Sequence, residues 1–210
     1  MGFEALSPKA AADRARYGDR LPPGQRVSEK WPVLHYGSLP EIDLDSWQLS
    51  LSGLVEGPCA LDWEAVLALP QSTRTSDAHC VTRWSTFDNV WTGVAAADLL
   101  ALVQPQSAAR FVVAHGYGGY SANLPLPVFA QDDVILAHGH GGAPLTPEHG
   151  WPLRLVVPSR YFWKSVKWLR ALEFVAEDQP GFWERYGYHN EGDPWQEQRF
   201  TRGRSRTGAY

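Results

Sequence analysis

One cysteine of this chain stands among charged and polar residues, a setting that favours chemistry over packing. Cys80 follows His79 and precedes Arg83 within the run 75–85, which is too polar for ordinary core. The thiolate is the reactive and metal-binding form of cysteine, and nearby cations stabilise it. Cys80 is therefore a candidate ligand for a soft metal or a candidate nucleophile, with plain packing as the third possibility.

A second candidate site combines two cations with an apolar strand. Arg154 lies in the otherwise apolar run 151–158, and Lys167 follows shortly after it. A guanidinium that leaves water needs an anionic partner, and its planar fork suits phosphate or carboxylate. The first possibility is an anion pocket made by Arg154, Lys167 and the backbone around Ser165. The second, which Arg154 alone favours, is an internal ion pair with an acidic residue.

Histidines supply further titratable groups near these positions. His138 and His140 are two residues apart on an extended segment, which predicts that both point to the same face. They would form half of a zinc site, but no cysteine or carboxylate stands nearby at ligand spacing. His79 adjoins Cys80, yet neighbouring strand residues point to opposite faces, so we expect His79 to pack or to support.

The elements that must position these residues are mostly strands. Apolar runs and apolar–polar alternation predict strands at 47–52, 74–79, 111–115, 120–124, 133–138, 153–157 and 169–175. Short helices are predicted at 8–17, at 63–69 with Asp62 as N-cap, and at 94–103. Strands dominate without regular strand–helix alternation, which predicts a mixed, strand-rich α+β fold.

The 210 residues suffice for one main domain with a real core. We divide the chain into an N-terminal arm (1–30), a central domain (31–178) and a C-terminal extension (179–210) that packs on the domain or trails from it. The net charge of −4 gives no general attraction to nucleic acid. No apolar run is long enough for an integral membrane segment, and no export signal is visible. We therefore expect a soluble cytoplasmic protein with free thiols.

Six segments, in the same order along the chain, resemble the molybdopterin-binding domain of the sulfite oxidase family. That family includes sulfite oxidases, plant nitrate reductases and bacterial protein-methionine-sulfoxide reductase catalytic subunits. The segments are the cysteine stretch 75–85 together with 31–40, 91–100, 119–125, 133–145 and 149–168. The resemblance implies a molybdopterin-dependent oxidoreductase with a molybdenum–molybdopterin cofactor, and it makes 31–178 the catalytic domain.

The resemblance also implies roles for individual residues. Cys80 is the expected metal ligand, since molybdenum already binds two dithiolene sulfurs and a third soft ligand tunes its potential. Cys80, Arg83 and His138 form the expected catalytic set, with His138 standing where these enzymes carry an active-site tyrosine. The other expected cofactor-binding residues are His35, Tyr36, Ser121, His149, Arg154, Ser165, Val166 and Lys167.

The residues after the cysteine depart from the family pattern in a way that bears on the substrate. Sulfite oxidases follow the cysteine with an Asn-Arg-Arg run, whereas Val81 to Ser85 contain the single arginine Arg83. We therefore expect transfer of an oxygen atom and two electrons to or from a small oxo-compound, sulfoxide-like or sulfite-like, with the former favoured. The sequence has no haem, flavin or iron–sulfur motif, which predicts a separate electron-transfer partner.

Two other functions are compatible with the same residues. A cofactor-free enzyme could use Cys80 as nucleophile with a histidine as base, but this leaves Arg154 and Lys167 without a role. A non-catalytic anion-binding or cofactor-binding module would explain the cations and leave the cysteine idle.

Overall fold

The computed structural model describes residues 8–201, which form two β-sheets joined by short helices. The helices are α1 (Pro8–Tyr17), α2 (Trp63–Ala68), α3 (Ala96–Val103), α4 (Leu126–Phe129) and α5 (Phe182–Arg185). The strands are β1 (Arg26–Val27), β2 (Gln48–Gly53), β3 (Cys59–Asp62), β4 (Gln71–His79), β5 (Trp84–Ala95), β6 (Phe111–Gly116), β7 (Ser121–Pro125), β8 (Ile135–His140), β9 (Ala143–Pro144), β10 (Arg154–Val156) and β11 (Leu169–Val175). This confirms the predicted strand-rich α+β class.

The first sheet is built around β5. One edge of β5 pairs with the antiparallel strand β4 along most of its length. The other edge pairs with β1 in parallel at its beginning and with β8 in antiparallel fashion at its end. β8 in turn carries β10 and β9. The sheet therefore joins the end of β4, which precedes Cys80, to β10, which carries Arg154.

The second sheet has the strand order β3-β2-β11-β6-β7. Its central strand, β11, runs parallel to β2 and antiparallel to β6. Alternate residues of these strands are fully buried, as with Leu49 and Leu51 in β2 and Leu172 and Phe174 in β11. These side chains join apolar residues of the first sheet in the main core, so the two sheets pack against each other through one face each.

The opposite face of the first sheet is also buried, but its composition differs. In and around β10, Leu153, Leu155 and Val157 join the main core. Val156 belongs instead to a smaller cluster around Trp91. Because strand side chains alternate between faces, Arg154 lies on the same side as Val156, turned away from the main core. This second face carries the candidate site.

Several elements were predicted with the correct bounds or nearly so. α1 and β11 have the expected limits, and Asp62 caps α2 by accepting a hydrogen bond from the Ala65 N–H at 2.8 Å. The helix predicted at 94–103 is wrong at its beginning, because β5 continues through Ala95. Gly93 permits this continuation: a Cβ at that position would lie 2.0 Å from the carbonyl oxygen of Leu136 in β8.

The segments on either side of residues 31–178 contact that range through defined elements. In the N-terminal segment, β1 joins the first sheet and Leu21 is buried. In the C-terminal segment, Glu184 of α5 forms an ion pair with Lys164 at 2.6 Å. Residues 1–7 and 202–210 of these predicted segments lie outside the described range. Among the helices of residues 8–201, none combines the length and the apolar composition that crossing a bilayer requires.

Candidate active site

Cys80 lies in the tight loop that connects β4 to β5. Its backbone N–H donates to the Trp84 carbonyl at 2.9 Å, and its carbonyl accepts from the Arg83 N–H at 2.9 Å. Arg83 closes the loop with a left-handed φ of 76°. The Thr82 hydroxyl donates to the Cys80 sulfur at 3.2 Å. The hairpin thus holds the thiol at a defined position, where it keeps 8% of its accessible surface.

The surroundings of Cys80 suit a metal ligand better than a free nucleophile. Burial raises the pKa of the Cys80 thiol, while the bond from Thr82 and the charge of Arg199 act in the opposite direction. A nucleophile in such a place needs a base, and His79 does not provide one. Its Nδ1 pairs with the Ser85 hydroxyl at 2.8 Å, and burial lowers the pKa of His79 to about 4. A bound metal ion, by contrast, deprotonates a coordinating thiol by itself.

Arg154 is a buried cation with no acidic partner among residues 8–201. Only 1% of its surface is exposed. Its Nη1 donates to the His149 carbonyl at 2.9 Å and its Nη2 to the Ser165 carbonyl at 3.0 Å, whereas its Nε has no partner. Desolvation lowers the pKa of Arg154 to about 9. The internal ion pair considered from the sequence is therefore absent from the described chain, and the guanidinium is available to an anion.

Lys167 is the second cation of the candidate site. Its Nζ donates to the carbonyls of Leu34 at 2.7 Å and Glu148 at 2.6 Å. Desolvation and the charge of Arg154 lower the pKa of Lys167 to about 7, and the charge of Cys80 acts to raise it. Lys167 is thus close enough to both Arg154 and Cys80 for their charges to affect its pKa.

Aromatic rings pack around the Arg154 guanidinium. The Trp31 ring stacks on the His149 ring with centroids 3.9 Å apart, and the Arg154 guanidinium lies 5.3 Å from the Trp31 centroid and 4.4 Å from that of Phe162. The Nδ1 of His149 pairs with the Thr146 hydroxyl at 3.1 Å, and the ring also interacts with the Trp31 backbone, which opposes the lowering of the pKa of His149 by burial. The His149 ring thus lies on the same tryptophan that faces the Arg154 guanidinium.

The prediction that His138 and His140 share one face is wrong. In the ladder with β5, Gly139 pairs with Thr92 and Ala137 pairs with Gly93, so His138 is an extra residue, a β-bulge. The bulge reverses the alternation. His138 bonds to Gln71 at 2.9 Å and lies 6.0 Å from the Trp63 ring, towards the main core.

His140 lies on the site face instead. Its ring is 4.6 Å from both Trp31 and Trp91, and its Nε2 is 3.2 Å from the Asn89 side-chain oxygen. Burial lowers the pKa of His140, and the charges of Arg154 and His149 add to this effect. His140 is thus a site residue that the sequence interpretation missed. The signal for it was Gly139, because a glycine inside a strand often marks a bulge.

The remaining predicted residues are divided between the site and its margin. The Ser165 hydroxyl accepts from the Val157 N–H at 3.0 Å, and the Val166 side chain is part of the main core. His35 and Tyr36 are exposed in the loop whose Leu34 carbonyl binds Lys167. Val166 can therefore contribute only backbone atoms, and His35 and Tyr36 lie at the rim.

Two predicted residues have no hydrogen bond to Arg154 or Lys167 within residues 8–201. Ser121 is buried at the beginning of β7 in the second sheet, opposite His115. Arg83 is exposed, and its side chain donates a long hydrogen bond of 3.4 Å to the Gly24 carbonyl. The structure thus brings Arg154 into contact with His149 and Ser165, with Lys167 near enough to feel the charges of both Arg154 and Cys80. It leaves His138 and Arg83 outside that group.

These residues fit a phosphorylated cofactor that brings its own metal. The buried Arg154 guanidinium, whose Nε has no partner, and the Lys167 ammonium, whose pKa the charge of Arg154 lowers, form a donor set for phosphate and other anionic oxygens. No group of three His, Cys, Asp or Glu side chains within residues 8–201 could hold a metal ion. Metal binding through Cys80 would consequently need further ligands from the cofactor.

The family model for the oxidoreductase molybdopterin binding domain matches residues 36–183. The chain belongs to this family. An uncharacterised oxidoreductase of Bacillus subtilis, YuiH, is 50% identical over 87% of this chain and 92% of its own length. The protein-methionine-sulfoxide reductase catalytic subunit MsrP of Campylobacter jejuni is 29% identical, over 67% of this chain and 53% of its own length.

A plant enzyme and a solved structure extend these matches. The sulfite oxidase of Arabidopsis thaliana is 30% identical over 73% of this chain and 48% of its own length. The crystal structure of the sulfane dehydrogenase SoxCD from Paracoccus pantotrophus superposes with a TM-score of 0.62 at 26% identity, covering 69% of this chain and 42% of that one. The chain spans about half the length of MsrP and of the plant sulfite oxidase. The resemblance to the sulfite oxidase family is confirmed, as is the class of molybdopterin oxidoreductase.

Proposed function

We propose that this chain binds a molybdenum–molybdopterin cofactor through Cys80 at the metal and through Arg154 and Lys167 at the phosphate end. When bound, this cofactor supplies the exchange of one oxygen atom and two electrons with a small oxo-compound. His149 contacts the cofactor's pterin or linker, and Ser165 and Val166 contribute backbone. His35, Tyr36 and Ser121 are the outer contacts of the same proposal.

The observation that carries the proposal is the buried Arg154 without a counterion. A guanidinium that has lost water and has no carboxylate within reach is costly. The chain nevertheless places Arg154 near Lys167, and Lys167 is the cation on which the charge of Cys80 acts. An anionic ligand that reaches from the two cations to the thiol accounts for all three positions at once. The thiol-enzyme alternative accounts only for Cys80, and the binding-module alternative only for the cations.

A neutral oxo-compound, such as a sulfoxide, is the substrate class that we propose. The single arginine after the cysteine, Arg83, points to Gly24 at the surface and is not among the site cations. Arg154 and Lys167 are assigned to the cofactor, and Arg199, the other cation near the cysteine, uses its Nη atoms on the Val81 carbonyl and the Gln25 side-chain oxygen; we therefore propose that the site offers little to an anion such as sulfite. Sulfoxide reduction consumes two electrons and two protons and releases water, and we propose a separate redox partner as the electron source.

The first experiment measures cofactor loading. Protein from cofactor-competent cells should contain about one molybdenum per chain, with a releasable fluorescent pterin; the alternatives predict neither. Arg154→Met should lower the pterin content about tenfold or more, since a hydrogen bond to a charged group contributes about 1.5–3 kcal/mol. Arg170→Met, at an exposed arginine of β11, is the matched control and should load as the wild type does. Full loading of the Arg154 variant would refute the phosphate assignment.

The second experiment compares substrates on loaded protein. Reduced dye with a panel of alkyl and aryl sulfoxides and N-oxides is set against sulfite with an oxidised dye. The proposal expects a higher kcat/KM for members of the neutral panel. A higher kcat/KM for sulfite would reverse the proposed substrate class without affecting the cofactor assignment. We propose the cytoplasm as the location, which cell fractionation would test.

A further inference from the structure

The cysteine loop is held by two residues that lie outside the family match. Gln25 and Arg199 belong to the N-terminal and C-terminal segments, and the family model covers only residues 36–183. Both side chains are buried, with 8% and 6% of their surface exposed. Polar side chains at that depth need hydrogen-bond partners, and these two find theirs at the loop from Cys80 to Trp84.

Gln25 bonds directly to the backbone of the cysteine. Its side-chain N–H group donates to the Cys80 carbonyl at 3.0 Å and to the Trp84 carbonyl at 3.2 Å. Both carbonyls belong to the pair of residues that closes the hairpin. Gln25 therefore holds the closing pair of the hairpin, on the side where β1 joins β5.

Arg199 completes the arrangement from the other end of the chain. Its Nη2 donates to the Gln25 side-chain oxygen at 3.1 Å and its Nη1 to the Val81 carbonyl at 2.7 Å. Its guanidinium also lies 4.8 Å from the centroid of the Tyr161 ring. The neighbouring carboxylate of Glu197, which is 3.6 Å away, is largely exposed and compensates the charge only in part. Arg199 is thus a fixed cation one residue from the cysteine.

The position of Arg199 is itself determined by a well-anchored tail. The Lys164–Glu184 ion pair is buried on both sides. Further along the tail, the Tyr161 N–H donates to the Gly192 carbonyl at 2.7 Å, and the His189 N–H donates to the Arg199 carbonyl at 3.2 Å. These bonds hold the segment 184–199 against the domain, so Arg199 reaches Val81 from a rigid support.

We propose that Gln25 and Arg199 are positioning residues for the Cys80 sulfur: Gln25 sets the geometry of the loop and Arg199 places a fixed positive charge beside it. This inference rests on the proposed function, in which that sulfur binds the metal. A nearby cation stabilises the more reduced, less positive metal centre, so loss of the Arg199 charge lowers the reduction potential. Loss of the Gln25 bonds changes the orientation of the sulfur with the charge retained.

Four variants of the holoenzyme separate charge from geometry. Arg199→Met removes the charge, Arg199→Lys keeps it without the planar fork, and Gln25→Met removes the bonds to the loop carbonyls. Arg185→Met is the control, because Arg185 lies in the same tail and its side chain donates to the exposed Pro180 carbonyl at 2.8 Å, away from the cysteine loop. The readouts are the molybdenum midpoint potential and the Mo(V) electron paramagnetic resonance spectrum of loaded protein.

The expected result is a lower potential in Arg199→Met, a potential near that of the wild type in Arg199→Lys, and an altered Mo(V) spectrum in Gln25→Met. Arg185→Met should match the wild type in both readouts. Unchanged potentials in Arg199→Met together with an unchanged spectrum in Gln25→Met would overturn the inference. If Arg199→Met fails to fold, the Gln25→Met spectrum and the thiol reaction below decide.

A thiol reaction on the metal-free protein tests the positioning independently of the metal. In a Cys59→Ser background, Cys80 is the one remaining cysteine of the sequence. Loss of a buried hydrogen bond should open the loop more often, so Gln25→Met should speed the reaction of Cys80 with a disulfide reagent about tenfold. An unchanged rate argues against positioning. Wild-type protein that binds no molybdenum, or a Cys80→Ser variant with the wild-type Mo(V) spectrum, refutes the proposed function instead.

Discussion

Lys164 and Arg154 are both buried cations, but only one of them has an acid beside it. Lys164 is fully buried and pairs with Glu184 at 2.6 Å, and its Nζ also donates to the Asn123 side chain at 2.8 Å. Arg154 bonds to two carbonyls, its Nε is unpaired, and residues 8–201 offer it no carboxylate. From this difference we infer that Lys164 is structural and attaches the C-terminal segment. Arg154, in contrast, can bind an anionic ligand.

Breaking the Lys164–Glu184 pair should have the largest effect on stability. Lys164→Met leaves a buried carboxylate uncompensated and should lower the free energy of unfolding by about 3–5 kcal/mol. Urea unfolding followed by tryptophan fluorescence measures the change. The double variant Lys164→Met with Glu184→Met should recover a large part of the loss. A single variant as stable as the wild type would show that the pair does not anchor the tail.

The same substitution at Arg154 should behave differently in the metal-free protein. Arg154→Met removes a charge whose desolvation is uncompensated, so the free energy of unfolding should stay within about 1 kcal/mol of the wild type or increase. The same urea measurement, on protein produced without molybdenum, makes the comparison. A loss as large as that of Lys164→Met would mean that Arg154 is structural, and the contrast between the two cations would fail.

Lys167 should give the metal-free protein a stability that depends on pH. Its folded pKa of about 7 lies below the unfolded value. Between these two pKa values the unfolded chain holds a proton that the folded chain has lost, so stability rises with pH above 7. Below pH 7 both states hold the proton and the contribution is constant. Urea unfolding at pH 7 and pH 9 should give wild type a larger gain than Lys167→Met; equal gains would contradict the shift.

The smallest expected effect on turnover concerns His138, the bulged residue, and His140, which follows it in β8. His140→Asn, on the site face, should reduce turnover of loaded protein about three- to tenfold, which corresponds to the loss of one neutral hydrogen bond. His138→Asn should remain close to the wild type, because His138 contacts Gln71 and Trp63. Steady-state kinetics with equal molybdenum content measures both. The opposite ranking would return the catalytic role to His138.

Local patterns in the sequence predicted the elements that depend on local physics. The limits of α1 and β11 and the cap at Asp62 follow from capping and alternation, which act within a few residues. The beginning of α3 was misplaced because Trp91 to Ala95 form a ladder with β4 and β8, strands from other parts of the chain. Tertiary pairing overrode the local preference there.

In the candidate site, too, some residues were predicted from local sequence and others were revealed only by the fold. Cys80, Arg154 and Lys167 were identified from residue type and spacing, because a thiol in a polar run and a guanidinium in an apolar strand are unusual wherever they fold. His140 was missed because one bulged residue exchanged the faces of β8. Gln25 and Arg199 carry no local signal at all, since their importance arises from bonds to the loop at Cys80.

By itself, the sequence determined that this chain is a strand-rich member of a molybdopterin-binding family with a thiol and two cations poised for a cofactor. Only the tertiary structure decided which cation lacks a counterion, which histidine faces the site and which distant side chains support the cysteine loop. The reason is physical. Residue chemistry and side-chain alternation are local properties, whereas burial and hydrogen-bond partners are determined by segments that meet only when the chain has folded.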